Sequence, residues 1–181
     1  MSGVDRQKAL LEARNLERAG DHVGAIKAYI NAGYAMDASR LLANLGRFGE
    51  AGDLLLKALR LQPTMVGTLT GARRSAALKA AVCFARAGRM DDASTIVIAL
   101  GARESVVGTL LEVDDQEAAE GLLTHTVRPD QPEMTLKDAA RIRARELMGA
   151  GQHADASRLF LLADEPVEAA RALWAQGARQ E

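Results

Sequence analysis

The amino-acid sequence predicts an all-α fold of about eleven helices, grouped in three super-repeats within one domain over residues 1–181. Three observations support this prediction. Glycine or aspartate recurs every thirteen residues, in three separate runs. The residues between these positions have the apolar spacing of short helices. Three of the four prolines, which break helices, fall in the two stretches that separate the runs.

The thirteen-residue period is marked mainly by glycine. Six of the eight units begin with glycine, and the other two begin with aspartate. Glycine takes the left-handed backbone conformation that ends a helix without steric cost, because it has no Cβ atom. Each unit is therefore predicted to contain one short helix and a turn. The units begin at Gly20, Gly33, Gly46, Gly88, Gly101, Asp114, Gly151 and Asp164.

Each unit carries small and apolar residues along one helical face. In the first unit these residues are Ala25, Ala28, Tyr29 and Ala32. The spacing i, i+3, i+4, i+7 places them on one side of an amphipathic helix. Ala25 and its equivalents in the later runs, Ala93 and Ala156, are expected to be buried where neighbouring helices approach most closely.

A longer helix precedes each run of units. The three long helices are predicted at about 4–19, 72–87 and 135–150. Together with the units that follow, they define super-repeats at about 3–60, 72–126 and 135–181. Two loops, 61–71 and 127–135, separate the super-repeats and contain the three loop prolines.

Small and bulky residues recur in a fixed order across each long helix and the unit after it. In the first super-repeat they are Ala13, Leu16, Ala25, Tyr29 and Ala32. In the third they are Ala144, Leu147, Ala156, Phe160 and Ala163. This order resembles the tetratricopeptide repeat (TPR), in which small residues let two antiparallel helices approach closely. The resemblance implies a right-handed TPR-like α-solenoid of about eleven antiparallel helices.

The chain departs from the standard TPR motif in three ways. Alanine stands where the motif has tryptophan, the closing proline is absent, and each unit is shorter than half of a repeat of about 34 residues. The sequence is therefore similar to the degenerate TPR-like solenoids of trafficking and scaffold proteins. This resemblance implies a non-enzymatic scaffold or adaptor that presents its surface to a partner protein or to an acidic peptide segment.

In TPR proteins the first helix of each pair lines the concave surface, so the resemblance also implies where a partner binds. The matching outward positions carry five arginines, Arg14, Arg18, Arg86, Arg141 and Arg145. Arginine binds carboxylates through two parallel hydrogen bonds, which suits an acidic peptide. These positions carry no asparagine, a residue that the family's clamp for a peptide carboxylate uses.

The C-terminal unit suggests a second contact surface. It carries Leu173 and Trp174 and is followed by the start of another unit that is not completed. Because terminal repeats need a polar cap, we expect Trp174 to be partly exposed and to meet a partner, a second copy of the chain or a missing continuation of the solenoid. An oligomerisation or regulatory segment of a larger protein is therefore the alternative function.

Amino-acid composition bears on nucleic-acid binding, membrane insertion and cellular location. The chain has 23 Lys and Arg against 24 Asp and Glu, a net charge of -1, which argues against a broadly basic nucleic-acid binder. No apolar run reaches the length of a membrane helix, so we expect no membrane insertion. The single cysteine, Cys83, favours a cytoplasmic protein. Cys83 lies on an alanine-rich helix and is expected to be a small buried side chain.

No catalytic, cofactor-binding or metal-binding set stands out in the sequence. Phosphate-loop, dinucleotide-binding, zinc-protease and serine-hydrolase motifs are all absent. His22 and His153 occupy equivalent places in the first turns of their units, where we expect both to be exposed. We therefore expect no enzyme, cofactor or metal site, and an enzyme or a nucleic-acid binder remains only a remote alternative.

Overall fold

The structure, a computed structural model, describes residues 3–62, 66–127 and 134–177. Within these ranges it contains eleven α-helices and no β-strand, which confirms the all-α fold. In chain order the helices are α1 (Gly3–Arg18), α2 (His22–Asn31), α3 (Ala35–Asn44), α4 (Phe48–Leu59), α5 (Gly71–Arg86), α6 (Met90–Leu100), α7 (Arg103–Glu112), α8 (Gln116–His125), α9 (Leu136–Gly149), α10 (His153–Leu162) and α11 (Pro166–Gly177). The long helices α1, α5 and α9 begin and end within one residue of the predicted bounds.

The thirteen-residue period is a period of helix ends. All eight residues that begin the units have positive φ angles, including Asp114 at 58° and Asp164 at 64°. The residue after Asp164 closes the turn, since the Glu165 N–H donates to the Phe160 carbonyl at 2.8 Å. This bond to the carbonyl five residues earlier is the Schellman arrangement, which satisfies a free carbonyl at a helix end. Aspartate replaces glycine at two units because its short polar side chain tolerates this conformation.

The helices form two compact units, Met1–Leu100 and Gly101–Glu181. These are larger than the thirteen-residue units of the sequence, and they are called the first and the second unit below. In the first unit each helix from α1 to α6 packs against the next, and α4 packs against α5 across the loop at 61–71. In the second unit α7 packs against both α8 and α9, while α10 packs against α9 and α11. Each unit is a stack of neighbouring helices, as expected for a helical repeat. The single domain over 1–181 stays a prediction.

Alanine provides the closest packing positions. Ala25, Ala93 and Ala156 are fully buried, which confirms the predicted buried face of these three thirteen-residue units. Around Ala25, the large side chain of Tyr29 is also buried and belongs to the same core as Ala13 and Leu41. Small residues beside bulky ones allow the helix axes to approach while the interior stays filled.

The two equivalent histidines differ in burial. His22 is exposed as predicted, but the prediction for His153 is wrong, because only 7% of this residue is exposed. The His153 Nδ1 atom lies 3.5 Å from the Met148 sulfur, and Met148 is the residue three before Gly151. The equivalent residue before His22 is Glu17, which turns instead towards Tyr29. Met148 therefore packs against His153, whereas His22 has no equivalent apolar neighbour and stays in solvent.

Candidate functional site

The arginines predicted on the first unit differ in their surroundings. Arg14 and Arg18 lie on α1 and are exposed. Arg86 lies on α5 and is half-buried, because its guanidinium stacks over the ring of Phe48 on α4 at 4.0 Å from the ring centre. A stacked guanidinium of this kind contributes to packing as well as carrying charge.

On the second unit, Arg141 has acidic partners from its own chain. It pairs with Asp138 on the same helix at 2.8 Å and with Glu165 in the turn before α11. These partners, Glu165 first, raise the pKa of Arg141 above its usual value. Its guanidinium is already held by two carboxylates, so a partner's carboxylate would have to compete with them for its N–H groups.

Arg145, one turn further along α9, is exposed and forms no ion pair within the described part of the chain. It borders a cleft of about 700 Å³ between the end of α9 and the start of α11. Met148 and Phe160 supply apolar walls to this cleft, and Asp164 and Glu168 supply acidic ones. The acidic walls would repel a peptide of the same charge, which makes the cleft a poor match for an acidic peptide.

The first unit contains a second concave site, which we call the α2–α4 groove. It has a volume of about 450 Å³. The groove runs between α2 and α4, with α3 beneath it. Its lining residues are Val23, Ile26, Lys27 and Ile30 of α2, Leu42 of α3, Arg47 before α4, and Glu50, Asp53, Leu54 and Lys57 of α4.

The apolar part of this groove comes from residues of α2 that lie beside its core-facing side. Since helical residues advance by about 100° each, the centre of the group Val23, Ile26 and Ile30 is about 110° around the helix from Ala25 and Tyr29. Ile26 is buried and forms the floor, while Val23 is 54% exposed and Ile30 is 44% exposed. A helix that packed on one side only would carry polar residues here. The two exposed side chains therefore form an apolar wall that no residue of the described chain covers.

The charges on the rim of the groove are unequally balanced. Arg47 pairs with Glu50 at 2.5 Å, and Asp53 accepts two hydrogen bonds from Arg89 at 2.9 Å. The side chains of Lys27 and Lys57 form no ion pair or hydrogen bond with any described residue. Lys27 stands on the α2 wall and Lys57 stands on the α4 wall. The groove therefore presents an apolar interior between two lysines that form no ion pair with a described residue, and its charged lining residues (three basic, two acidic) carry a net charge of +1.

The last helix, α11, exposes another apolar face. Trp174 is 78% exposed, which confirms the expected exposure, and Leu173 beside it is also largely exposed. Val167, two turns earlier on the same side of α11, is 63% exposed. Large apolar side chains grouped in this way mark a surface that can bind another molecule.

No group of three or more His, Cys, Asp or Glu side chains among the described residues is arranged to hold a metal ion. Cys83 is buried as expected, and burial raises the pKa of its thiol, which disfavours the reactive thiolate. None of the helices in the described ranges combines the length and the apolar character needed to cross a membrane.

Comparison of the chain with protein-family models, with curated proteins and with solved structures finds no match. The geometry of the chain itself is therefore the basis for assigning its function. None of the six residues predicted from the sequence, Arg14, Arg18, Arg86, Arg141, Arg145 and Trp174, lines the α2–α4 groove. The sequence signal for the groove is the extension of the apolar face of α2 to Val23 and Ile30, beyond the buried residues.

Proposed function

We propose that this chain is a non-enzymatic protein–protein interaction module, built as a TPR-like α-solenoid, that serves as a scaffold or adaptor for a partner protein or peptide. The observation that carries the proposal is the α2–α4 groove, in which Val23 and Ile30 stand exposed above a buried apolar floor. Exposed apolar groups lose contact with water when a partner covers them, which favours binding. The proposal includes a cytoplasmic location, which the single cysteine favours.

A helical stack suits this role because its surface is formed by side chains that the core does not need. The buried side of α2 packs against its neighbours α1 and α3, so the exposed residues Val23 and Ile30 can vary without loss of the fold. The five arginines expected to bind an acidic peptide remain candidates. Among them, Arg14, Arg18 and Arg145 are the most accessible.

The test is selection of binding peptides followed by a comparison of two variants. Peptides from a displayed random library are enriched on the purified chain, and their affinities are measured by isothermal titration calorimetry. Ile30→Glu places a charge in the apolar wall and should weaken binding about tenfold or more. Leu11→Glu is the matched control, because Leu11 is exposed on α1 outside the groove. Failure to enrich any peptide, or equal affinities for the two variants, would contradict the proposal.

The exposed face of α11 favours a second candidate function, self-association through the C-terminal end. Such an interface would be apolar and largely insensitive to salt, because Trp174, Leu173 and Val167 dominate it. Light scattering over a range of concentrations tests it. Trp174→Ser should convert a dimer into a monomer, whereas Val113→Ser, a change at an exposed apolar residue in the turn after α7, should not. A wild-type chain that is monomeric throughout would exclude this candidate.

A further inference from the structure

We propose that the α2–α4 groove takes an amphipathic helix of a partner protein, with apolar side chains in the groove and acidic residues beside Lys27 and Lys57. This inference rests on the proposed function and names the chemistry of the partner. It follows from the shape of the groove, from the spacing of its wall and from the two charges that the chain leaves unbalanced.

The groove favours a helical conformation in the partner segment. An extended segment binds by adding a strand to a sheet edge, and the described ranges contain no strand. A proline-rich segment binds between aromatic side chains, and the described lining of this groove contains none. An amphipathic helix is the mode that uses an apolar groove, with anchors at i, i+3 or i+4, and i+7, and the exposed Val23 and Ile30 provide such a groove.

The apolar wall of the groove is as long as two turns of a partner helix. Val23 and Ile30 are seven residues apart on α2, which is a distance of about 10 Å along the helix axis at 1.5 Å per residue. A partner helix with anchors at i and i+7 spans the same distance. Ile26 lies between the two and forms the floor that the middle anchor would meet. Two turns of partner helix therefore match the wall of the groove.

The charges on the rim of the groove favour acidic residues in the partner. Each acidic residue on the rim already has an arginine partner, Glu50 with Arg47 and Asp53 with Arg89. Lys27 and Lys57 have none among the described residues, and they stand on opposite walls. A helix that lies between them meets positive charge on both sides of its apolar stripe. Acidic residues on both flanks would be attracted, and basic residues there would be repelled.

The experiment compares three designed helical peptides that share one leucine stripe and differ only in their flanking residues. The flanks are glutamate, glutamine or lysine, and binding to the full chain is measured by fluorescence anisotropy. We expect the glutamate peptide to bind about tenfold more tightly than the glutamine peptide, because each partly exposed ion pair contributes modestly. The lysine peptide should bind least, and the difference should shrink as salt is added.

Charge reversal of the chain provides the matching test. In the double variant Lys27→Glu and Lys57→Glu, the order of affinity should reverse, with the lysine peptide binding best. The control double variant Lys8→Glu and Lys79→Glu makes the same change in net charge at exposed sites outside the groove. It should keep the wild-type order. A reversal in both double variants would mean that net charge alone selects the partner and would overturn the inference.

Several results would overturn the inference in distinguishable ways. Equal affinity for the glutamate and glutamine peptides, with binding still lost in Ile30→Glu, would remove the acidic partner but keep the proposed function. Undiminished binding of a glutamate peptide with a central proline would exclude a helix, since proline breaks one. No binding by any of the three peptides would also overturn it. So would a wild-type chain that self-associates until Lys27 and Lys57 are reversed, because the occupant would then be a second copy.

Discussion

Gly52 of α4 lies directly against the ring of Phe84 of α5. A Cβ atom at residue 52 would come within 2.6 Å of the Phe84 Cε1 atom, closer than real side chains approach. Both residues are buried, so the ring has no open space to move into. A glycine in the second unit has the same role, since a Cβ atom at Gly108 would lie 2.8 Å from the Cβ atom of Arg143. Glycine therefore sets the separation of one packed helix pair in each unit.

Two glycines of α4 should respond to alanine with opposite signs. Gly52→Ala should lower the free energy of unfolding by about 1–2 kcal/mol, because the added methyl group overpacks the contact with Phe84. Gly49→Ala is the control in the same helix, since its added methyl group would meet nothing nearer than 3.7 Å. There alanine should raise the free energy of unfolding by up to about 1 kcal/mol, through its better helix propensity. Urea denaturation followed by circular dichroism measures both changes, and a loss of stability in both variants would contradict the assignment.

Local signals account for the parts of the fold that the sequence predicted well. A helix end needs only its own last turn, so the left-handed residues at Gly20 and Asp164 can be identified without knowing what packs nearby. The buried positions Ala25 and Ala93 follow in the same way from the apolar period. The close contact at Gly52 does not, because glycine inside a helix has no periodic signal and its partner is 32 residues further along the chain.

The candidate site was predicted less well because it depends on residues that are distant in the sequence. Arg141 is predicted from the sequence to line a partner-binding surface, but one of its partners is Glu165, which lies 24 residues later in the turn before α11. The imbalance at the groove has the same origin. Lys57 is without a partner only because Arg47 and Arg89 take up the nearby acidic residues, and Arg89 belongs to a turn beyond α5. The Arg47–Glu50 pair is local, but the pairing of Arg89 with Asp53, 36 residues apart, is decided by tertiary packing.

The buried histidine should be replaceable by an apolar residue. The Nε2 atom of His153 is buried and has no hydrogen-bond partner among the described residues. A buried polar atom without a partner destabilises a fold by about 1–3 kcal/mol, so His153→Leu should raise the free energy of unfolding by about 1 kcal/mol. His22→Leu, at the equivalent exposed position, should change it by less than about 0.5 kcal/mol. Thermal denaturation compares the two, and a lower melting temperature for His153→Leu would count against this account.

The carboxylate of Glu17 should give the first unit a dependence on acid. It accepts hydrogen bonds from the Tyr29 hydroxyl at 2.8 Å and from Arg40 at 2.7 Å, and these bonds, Tyr29 first, lower the pKa of Glu17. A carboxyl with a lowered pKa stabilises the fold above its ordinary pKa of about 4.3, and this contribution is lost as the pH falls through the lowered value. Stability should therefore decline below about pH 5.

Tyr29→Phe tests this relationship, because it removes the first of the two hydrogen bonds and keeps the ring. The pKa of Glu17 should rise towards its ordinary value, as measured by a carboxyl NMR titration. The free energy of unfolding at neutral pH should fall by about 0.5–1.5 kcal/mol, and the further loss between pH 5 and pH 3 should become smaller. Tyr34→Phe is the control, since no hydrogen bond joins Tyr34 to Glu17 in the described structure. An unchanged pKa of Glu17 in Tyr29→Phe would show that the Tyr29 hydroxyl does not lower it.

Trp174 should report the state of α11 by itself, because it is the only tryptophan in the chain. With 78% of the residue exposed, its fluorescence in dilute solution should resemble that of an indole in water and should be readily quenched by iodide. Pairing of α11 with a second copy at higher concentration would shift the emission to shorter wavelength and protect it, because the indole would leave water. Val167→Glu should prevent that change, since Val167 shares the exposed face, whereas Val113→Glu should not. Emission typical of a buried indole at every dilution would show that this face is covered within a single chain.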